Sequence, residues 1–186
     1  MRKLRPLAQA ARTALAGLAL TGLAGCSVFS PAPGWELVKA GGSAAATALA
    51  YGPSRARDTV HQGEAVPASV CIEFNRDVQS QELVPALQAE LRQHRVASRV
   101  YELGMDGPDC RVWLRYVASV EWGQPPMSGA YRPYLSAAAL SLHHVDGRLM
   151  SSSAYRLEEG LGLGRWSSTR DKLAPVVQAL LTGFEN

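Results

Sequence analysis

Residues 112 to 122 alternate too regularly to be read as anything but a strand. Val112, Leu114, Tyr116, Ala118, Val120 and Trp122 fall on one parity, and Arg111, Trp113, Arg115, Ser119 and Glu121 on the other. Successive strand side chains point to opposite faces, so this period of two turns an apolar face to a core and a polar face away from it. A slip of one residue would expose every apolar side chain, which pins the register. An antiparallel sheet covered on one side satisfies such a pattern.

The flanking segments supply the cover and the neighbours. Val70-Cys71-Ile72-Glu73-Phe74 reads as a strand, followed by a turn through residues 75 to 80. Leu83, Val84, Leu87 and Leu91 recur at helical spacing, with Glu82, Gln88, Glu90 and Arg92 on a polar side. Ser80 is the expected N-cap, and Pro85 is tolerated because it lies close to the helix start. Val96 to Leu103 reads as a second strand, so that strand, helix and strand form a parallel crossover. Tyr134 to Val145 and Arg148 to Leu157 flank Asp146-Gly147, a strong hairpin signal. Leu173, Val176, Val177, Leu180 and Phe184 form the stripe of a last helix, capped by Ser167, Ser168 or Thr169.

The order β-α-β-β-β-β-α predicts an α+β fold. Its expected form is a two-layer sandwich, with a mixed, mostly antiparallel sheet covered on one face by two helices. Residues 82–91 and 172–181 share Leu, Pro, Gln, Ala and Leu at an offset of ninety. Two helices packing on the same sheet face converge on similar starts, and the strands between them show no matching repeat.

Before residue 67 the pattern fades. Pro31, Pro33, Gly41, Gly42, Gly52, Pro53, Gly63 and Pro67 interrupt the chain, so residues 26–66 read as a flexible tether and 67–186 as the domain. About forty flexible residues span roughly 35 Å on average. Cys71 and Cys110 remain inside the domain, without a C-x-x-C spacing or a nearby histidine to favour a metal or a reactive thiol. In an exported chain such a pair is expected to form a disulfide.

Arg2, Lys3, Arg5 and Arg12 precede an apolar run from Ala14 to Ala24, broken by Thr21 and two glycines. The run is too short to span a bilayer and reads, as residues 1–25, as a secretory signal. It ends in Leu23-Ala24-Gly25-Cys26, which resembles the lipobox of bacterial lipoproteins. The resemblance implies cleavage before Cys26, attachment of a diacylglycerol to its thiol and acylation of its amine. Several acyl chains together make a durable anchor, whereas one alone is marginal. Ser27 stands where lipoproteins retained in the inner membrane often carry Asp, so the resemblance implies the periplasmic face of the outer membrane. Without residues 1–25, which hold four basic and no acidic side chains, the formal charge of +3 becomes −1. A basic face for nucleic acid is therefore not expected.

Catalytic and cofactor patterns are weak throughout. Gly160-Leu161-Gly162-Leu163-Gly164 lacks the lysine of a phosphate loop and follows a hairpin strand, so nucleotide binding is not expected. His143 and His144, near Asp146, point to opposite faces of a strand and cannot readily share a metal. Ser151-Ser152-Ser153 reads as an exposed strand without a nucleophile elbow, and Glu158-Glu159 diverge at a strand end. No enzyme, metal or cofactor is expected. Trp113, Arg111 and Arg115, on the face away from the helices, are the candidate partner-binding residues, because tryptophan and arginine are enriched at interfaces.

Val70-Cys71-Ile72-Glu73, the Leu-x-Pro helix, Asp109-Cys110 before the alternating strand and the glycine-rich loop before the last helix resemble a family of small uncharacterised proteobacterial lipoproteins. At the level of fold the layout is similar to lipoproteins whose two helices cover a four-stranded sheet. The resemblance carries no catalytic residues. Together these readings imply a non-enzymatic binding or adaptor domain in the envelope, held to the membrane at Cys26 and contacting an envelope protein or component. The competing expectations are a hydrolase or transferase using His144 or the serine-rich hairpin, and a carrier of an amphiphile between sheet and helices. Cys26→Ala is expected to move the protein from the membrane pellet to the soluble fraction on cell fractionation. Retention in the pellet would defeat the lipid-anchor reading.

Overall fold

In the computed structural model, which describes residues 45, 47–105, 107, 109–158 and 164–185, the alternating stretch is strand β4. The first strand in chain order, β1 (Arg57–His61), pairs antiparallel with the last, β6 (Leu149–Arg156). β2 (Ser69–Phe74) leads through helix α1 (Leu83–Gln93) to β3 (Ala97–Glu102), its parallel neighbour. Parallel strands need such a crossover, whereas antiparallel ones can be joined by a tight turn. β4 (Val112–Gly123) and β5 (Arg132–His144) form the longest ladder, from Val112↔His144 to Gly123↔Arg132. Helix α2 (Thr169–Thr182) closes the chain. The result is an α+β fold with a six-stranded mixed sheet, ordered β1-β6-β5-β4-β2-β3.

One core cluster joins both helices to the sheet. Val70, Ile72, Leu114, Leu140 and Leu142 come from the strands, and Leu87, Leu91, Val176, Val177 and Leu180 from the helices. Each such side chain contributes about 1.5–3 kcal/mol by leaving water. The predicted parity of β4 holds at Val112, Leu114 and Tyr116, which are buried while Arg115 and Val117 are exposed. At Asp146-Gly147 the chain reverses as expected, with Gly147 at φ +88° and its N–H donating to the His144 carbonyl at 2.8 Å. A positive φ of this kind suits glycine, which has no Cβ to clash.

Several expectations are corrected. The tether reading of residues 26–66 included β1, which is part of the sheet, and Ala50 and Ala56, which are buried. The outer edge of β6 offers unpaired backbone groups, and β1 satisfies them. Ser151 and Ser153, read as exposed, are 1% and 2% exposed, because β1 flanks β6 and Thr59 Oγ1 lies 2.9 Å from Ser153 Oγ. Ser80 does not cap α1 with its hydroxyl; its carbonyl accepts the Leu83 N–H at 3.4 Å. Glu90, assigned to the polar side of α1, is buried and meets Arg170 Nε of α2 at 2.6 Å. Phe184 lies beyond the end of α2 and is exposed, since Gly183 at φ +81° ends the helix. Ser168, by contrast, accepts the Asp171 N–H as an N-cap.

Cys71 of β2 and Cys110, just before β4, are disulfide-bonded with their Cα atoms 5.8 Å apart and a sequence separation of 39. Gly107 lies against this bridge, where an added Cβ would strike the Cys110 sulfur. Cys26 and residues 1–25 lie outside the described residues. Replacing Cys71 and Cys110 together with serine is expected to cost about 4 kcal/mol of stability by the loop-closure relation, read from urea unfolding. A change under about 1 kcal/mol would show that the bridge adds little.

Candidate functional site

The residues expected to bind a partner are largely engaged with their own neighbours. Trp113 is half-buried, stands across from Cys71 in the parallel register and meets Tyr101 edge-on at 5.7 Å between ring centroids. Arg115 Nε donates to Glu73 Oε2 at 3.0 Å. Arg111 precedes β4 and is exposed, and its carbonyl accepts the Val145 N–H. Trp113 and Arg115 thus share a face with Tyr101 and Glu73, as a local cover over the disulfide end of the sheet.

A denser arrangement lies at the other end of β4. Between Ser119 and Val120 the ladder shifts, so that Ala137 and then Leu135 are paired and Ser136 is the extra residue of a bulge. Ser136 Oγ donates to the Ser119 carbonyl at 3.2 Å, which helps hold the bulge. Beyond it the hairpin runs on to Gly123, whose missing side chain leaves room for Tyr134 and Trp166; an added Cβ would come within 3.2 and 3.3 Å of their rings. Tyr134 and Trp166 pack edge-to-face at 5.1 Å. Residues 47–52 secure the loop before α2, with the Trp166 N–H donating to the Ala50 carbonyl and Ser167 Oγ to the Gly52 carbonyl.

Lys172, in the first turns of α2, is 1% exposed. Its Nζ donates to the Leu135 carbonyl at 2.9 Å and the Arg165 carbonyl at 2.6 Å, and lies 5.6 and 5.8 Å from the Tyr134 and Tyr155 rings. Burial, with a smaller contribution from the Arg165 charge, lowers its pKa from 10.5 to about 8. Burial likewise pushes the Tyr155 hydroxyl up to about 12. Tyr134 OH donates to Glu121 Oε2 at 2.8 Å, which holds that carboxyl below its usual range. Nothing in the sequence pattern singled out Lys172, because a lysine in the first turns of a helix gives no local sign of burial and its contacts come from β5, β6 and the loop before α2.

The histidines form two couples, not a triad. His143 Nε2 lies 3.0 Å from Ser141 Oγ, and His144 Nδ1 lies 3.1 Å from Asp146 Oδ2. A serine nucleophile needs one histidine that also meets the acid, and here the two contacts belong to different rings. Among the described residues no cluster of three or more His, Cys, Asp or Glu side chains could hold a metal ion, and no helix is long and apolar enough to cross a membrane. Glu159 and Gly160 to Leu163 lie outside the described residues.

No family model matches the sequence. No curated protein matches it either. Among solved structures, the PelC L103M dodecamer from Paraburkholderia phytofirmans has a chain similar to this one, at 16% identity and a TM-score of 0.43. The alignment covers 70% of this chain and 96% of that one.

The buried ammonium has a measurable signature. Its folded pKa of about 8 lies below the value of 10.5 for the unfolded chain, so the unfolded state holds the extra proton between them and stability rises with pH across that window. From about pH 7 to about pH 9.5 the gain is roughly 2 kcal/mol by proton linkage. Above about pH 10 the trend reverses, because Tyr155 keeps its proton in the fold while the unfolded tyrosine loses it. Urea unfolding between about pH 7 and about pH 9.5 should show the rise in the wild type and a flat profile for Lys172→Met. A rise that survives the substitution would assign it to another group.

Proposed function

We propose that this chain is a membrane-anchored module on the periplasmic side of the envelope that binds a protein or envelope component by contact and is not an enzyme. The finer reading of its fold, a two-layer sandwich with both helices on one sheet face, goes with this proposal, because it leaves the opposite face and the loop ends for contact. Support for export comes from the cysteine pair. Support for anchoring comes from the likeness of residues 23–26 to a lipobox.

The carrying observation is the tip of the β4–β5 hairpin. Trp122 and Tyr131 are each 67% exposed and Met127 is 94% exposed. The tip is held by its own bonds: Gln124 Nε2 donates to the Gly129 carbonyl, and the Ser128 N–H to the Pro125 carbonyl. Ordered, solvent-facing aromatics and methionine on one projection are costly to leave in water and are enriched at interfaces. The tip is therefore a better candidate than the Trp113 face, where the arginine and the aromatic already have partners.

A photoreactive amino acid at position 127 in intact cells tests this reading. A discrete crosslinked species is expected, and Trp122→Ala with Tyr131→Ala should reduce it about tenfold or more, as for loss of an anchor residue. Absence of any discrete adduct, or one indifferent to both substitutions, would overturn the assignment.

A further inference from the structure

The hollow between the head of α2 and the start of β5 carries more positive charge than its own contacts balance. Arg132, Arg165 and Lys172 line it, opposed by Glu82, whose Oε2 accepts from Thr169 Oγ1 at 2.9 Å. Among the described residues, neither arginine has a carboxylate within ion-pair distance, and Lys172 has only carbonyls. Glu121 attracts Arg165 from farther away. The Arg165 Nε is shielded from solvent with no hydrogen-bond acceptor. Arg132 is exposed and Arg165 half-buried, so their guanidinium groups can be reached from solvent, while the shielded Arg165 Nε and the buried Lys172 lack a counter-charge that an incoming oxyanion would supply.

The walls narrow the ligand further. Tyr51, Tyr134 and Trp166 line the same hollow, and Arg165 lies over the Tyr134 ring at 5.6 Å. A second hollow shares Glu82, Pro133, Tyr134, Leu135 and Thr169 with the first, so the two adjoin. It adds Gln79, Gln81 and the exposed Trp122, with Asp77 as a second carboxylate, so the positive charge is concentrated in the first hollow. Guanidinium groups match carboxylate and phosphate oxygens, side-chain amides both donate to and accept from hydroxyls, and aromatic faces pack on the apolar faces of rings. Cations, amides and aromatics in adjoining hollows are what a hydroxyl-rich ring bearing an oxyanion requires.

We propose that these adjoining hollows bind an oxyanion-bearing saccharide, with the oxyanion received by Arg132 and Arg165 and the sugar extending toward Gln79 and Trp122. This rests on the reading of the chain as an envelope module that works by contact, and names a ligand class for it. Lys172 supplies positive potential from beneath the hollow while its carbonyl contacts hold it in place.

Calorimetric titration of the full chain, purified in detergent, tests the assignment with five probes: trigalacturonate, glucose 6-phosphate, inorganic phosphate, glucose and triglutamate. One of the two anionic sugars should bind, and which one separates a uronic acid from a phosphorylated sugar as the source of the oxyanion. Arg132→Gln and Arg165→Gln should each weaken that binding about tenfold, the scale of one charge-assisted contact, with urea midpoints kept near wild type as the folding control. Arg99→Gln, on β3 at the far edge of the sheet, should leave it unchanged. Inorganic phosphate or triglutamate bound as tightly as the sugars, glucose bound equally well, indifference to both arginine substitutions, or no binding would each overturn the proposal. Loss of sugar binding alongside a Tyr131-dependent crosslink at position 127 would leave the contact-binding reading standing, and the converse would leave the saccharide site standing.

Discussion

The ladder between β4 and β5 is the constraint on which the rest of this molecule depends. It joins the parallel half of the sheet, β2 and β3, to the antiparallel half, β6 and β1. Both halves depend on it for the core, because Leu114 pairs with Leu142 and Tyr116 with Leu140, and all four belong to the one buried cluster. A register slip here would turn those residues to water and remove the surface on which α1 and α2 bury Leu87, Leu91, Val177 and Leu180. The bulge at Ser136 then redirects the last part of the hairpin and brings Tyr134 to the loop before α2.

Polar burial defines the helix layer as much as apolar packing does. Glu90 of α1 is 3% exposed and pairs with Arg170 of α2, so the interhelical contact includes one charge pair whose arginine stays half in water. Removing one partner would leave a carboxylate buried without its counter-charge, which costs more than the intact pair contributes. Lys172 is held differently, by two carbonyls and two aromatic rings, and its lowered pKa expresses the cost of drying an ammonium without a carboxylate beside it. These groups make the seating of α2 specific in angle and height, because hydrogen bonds are directional where apolar contacts are not.

The two ends of the sheet differ in what they leave unsatisfied. At the disulfide end, Trp113, Tyr101, Arg115 and Glu73 complete one another's contacts. At the hairpin end, Trp122, Met127 and Tyr131 face solvent, and Arg132 and Arg165 lack carboxylate partners among the described residues. Interaction surfaces are recognised by what is left exposed or unpaired, and that criterion moves the candidate site from one end of β4 to the other.

Local pattern carried much of the architecture: the alternation of residues 112–122, the helical spacing of Leu83, Leu87 and Leu91, the Asp146-Gly147 reversal and a cap for α2 among Ser167, Ser168 and Thr169. Each depends on a period or a turn preference that operates over a few residues, and such effects are written in the order of the chain. β1, the burial of Ser151 and Ser153, the inward turn of Glu90 and the cationic hollow at Lys172 were not legible in the same way. They arise where segments 80 or more residues apart meet, as in the bonds from Ala50 to Trp166, Thr59 to Ser153 and Glu90 to Arg170. A five-residue edge strand in a glycine- and proline-broken stretch has no periodicity long enough to detect, and a polar side chain gives no local sign of whether folding will leave it wet or dry. Short-range chemistry therefore chose the elements, and only the packing of distant segments chose which polar groups became buried and which aromatic residues stayed free.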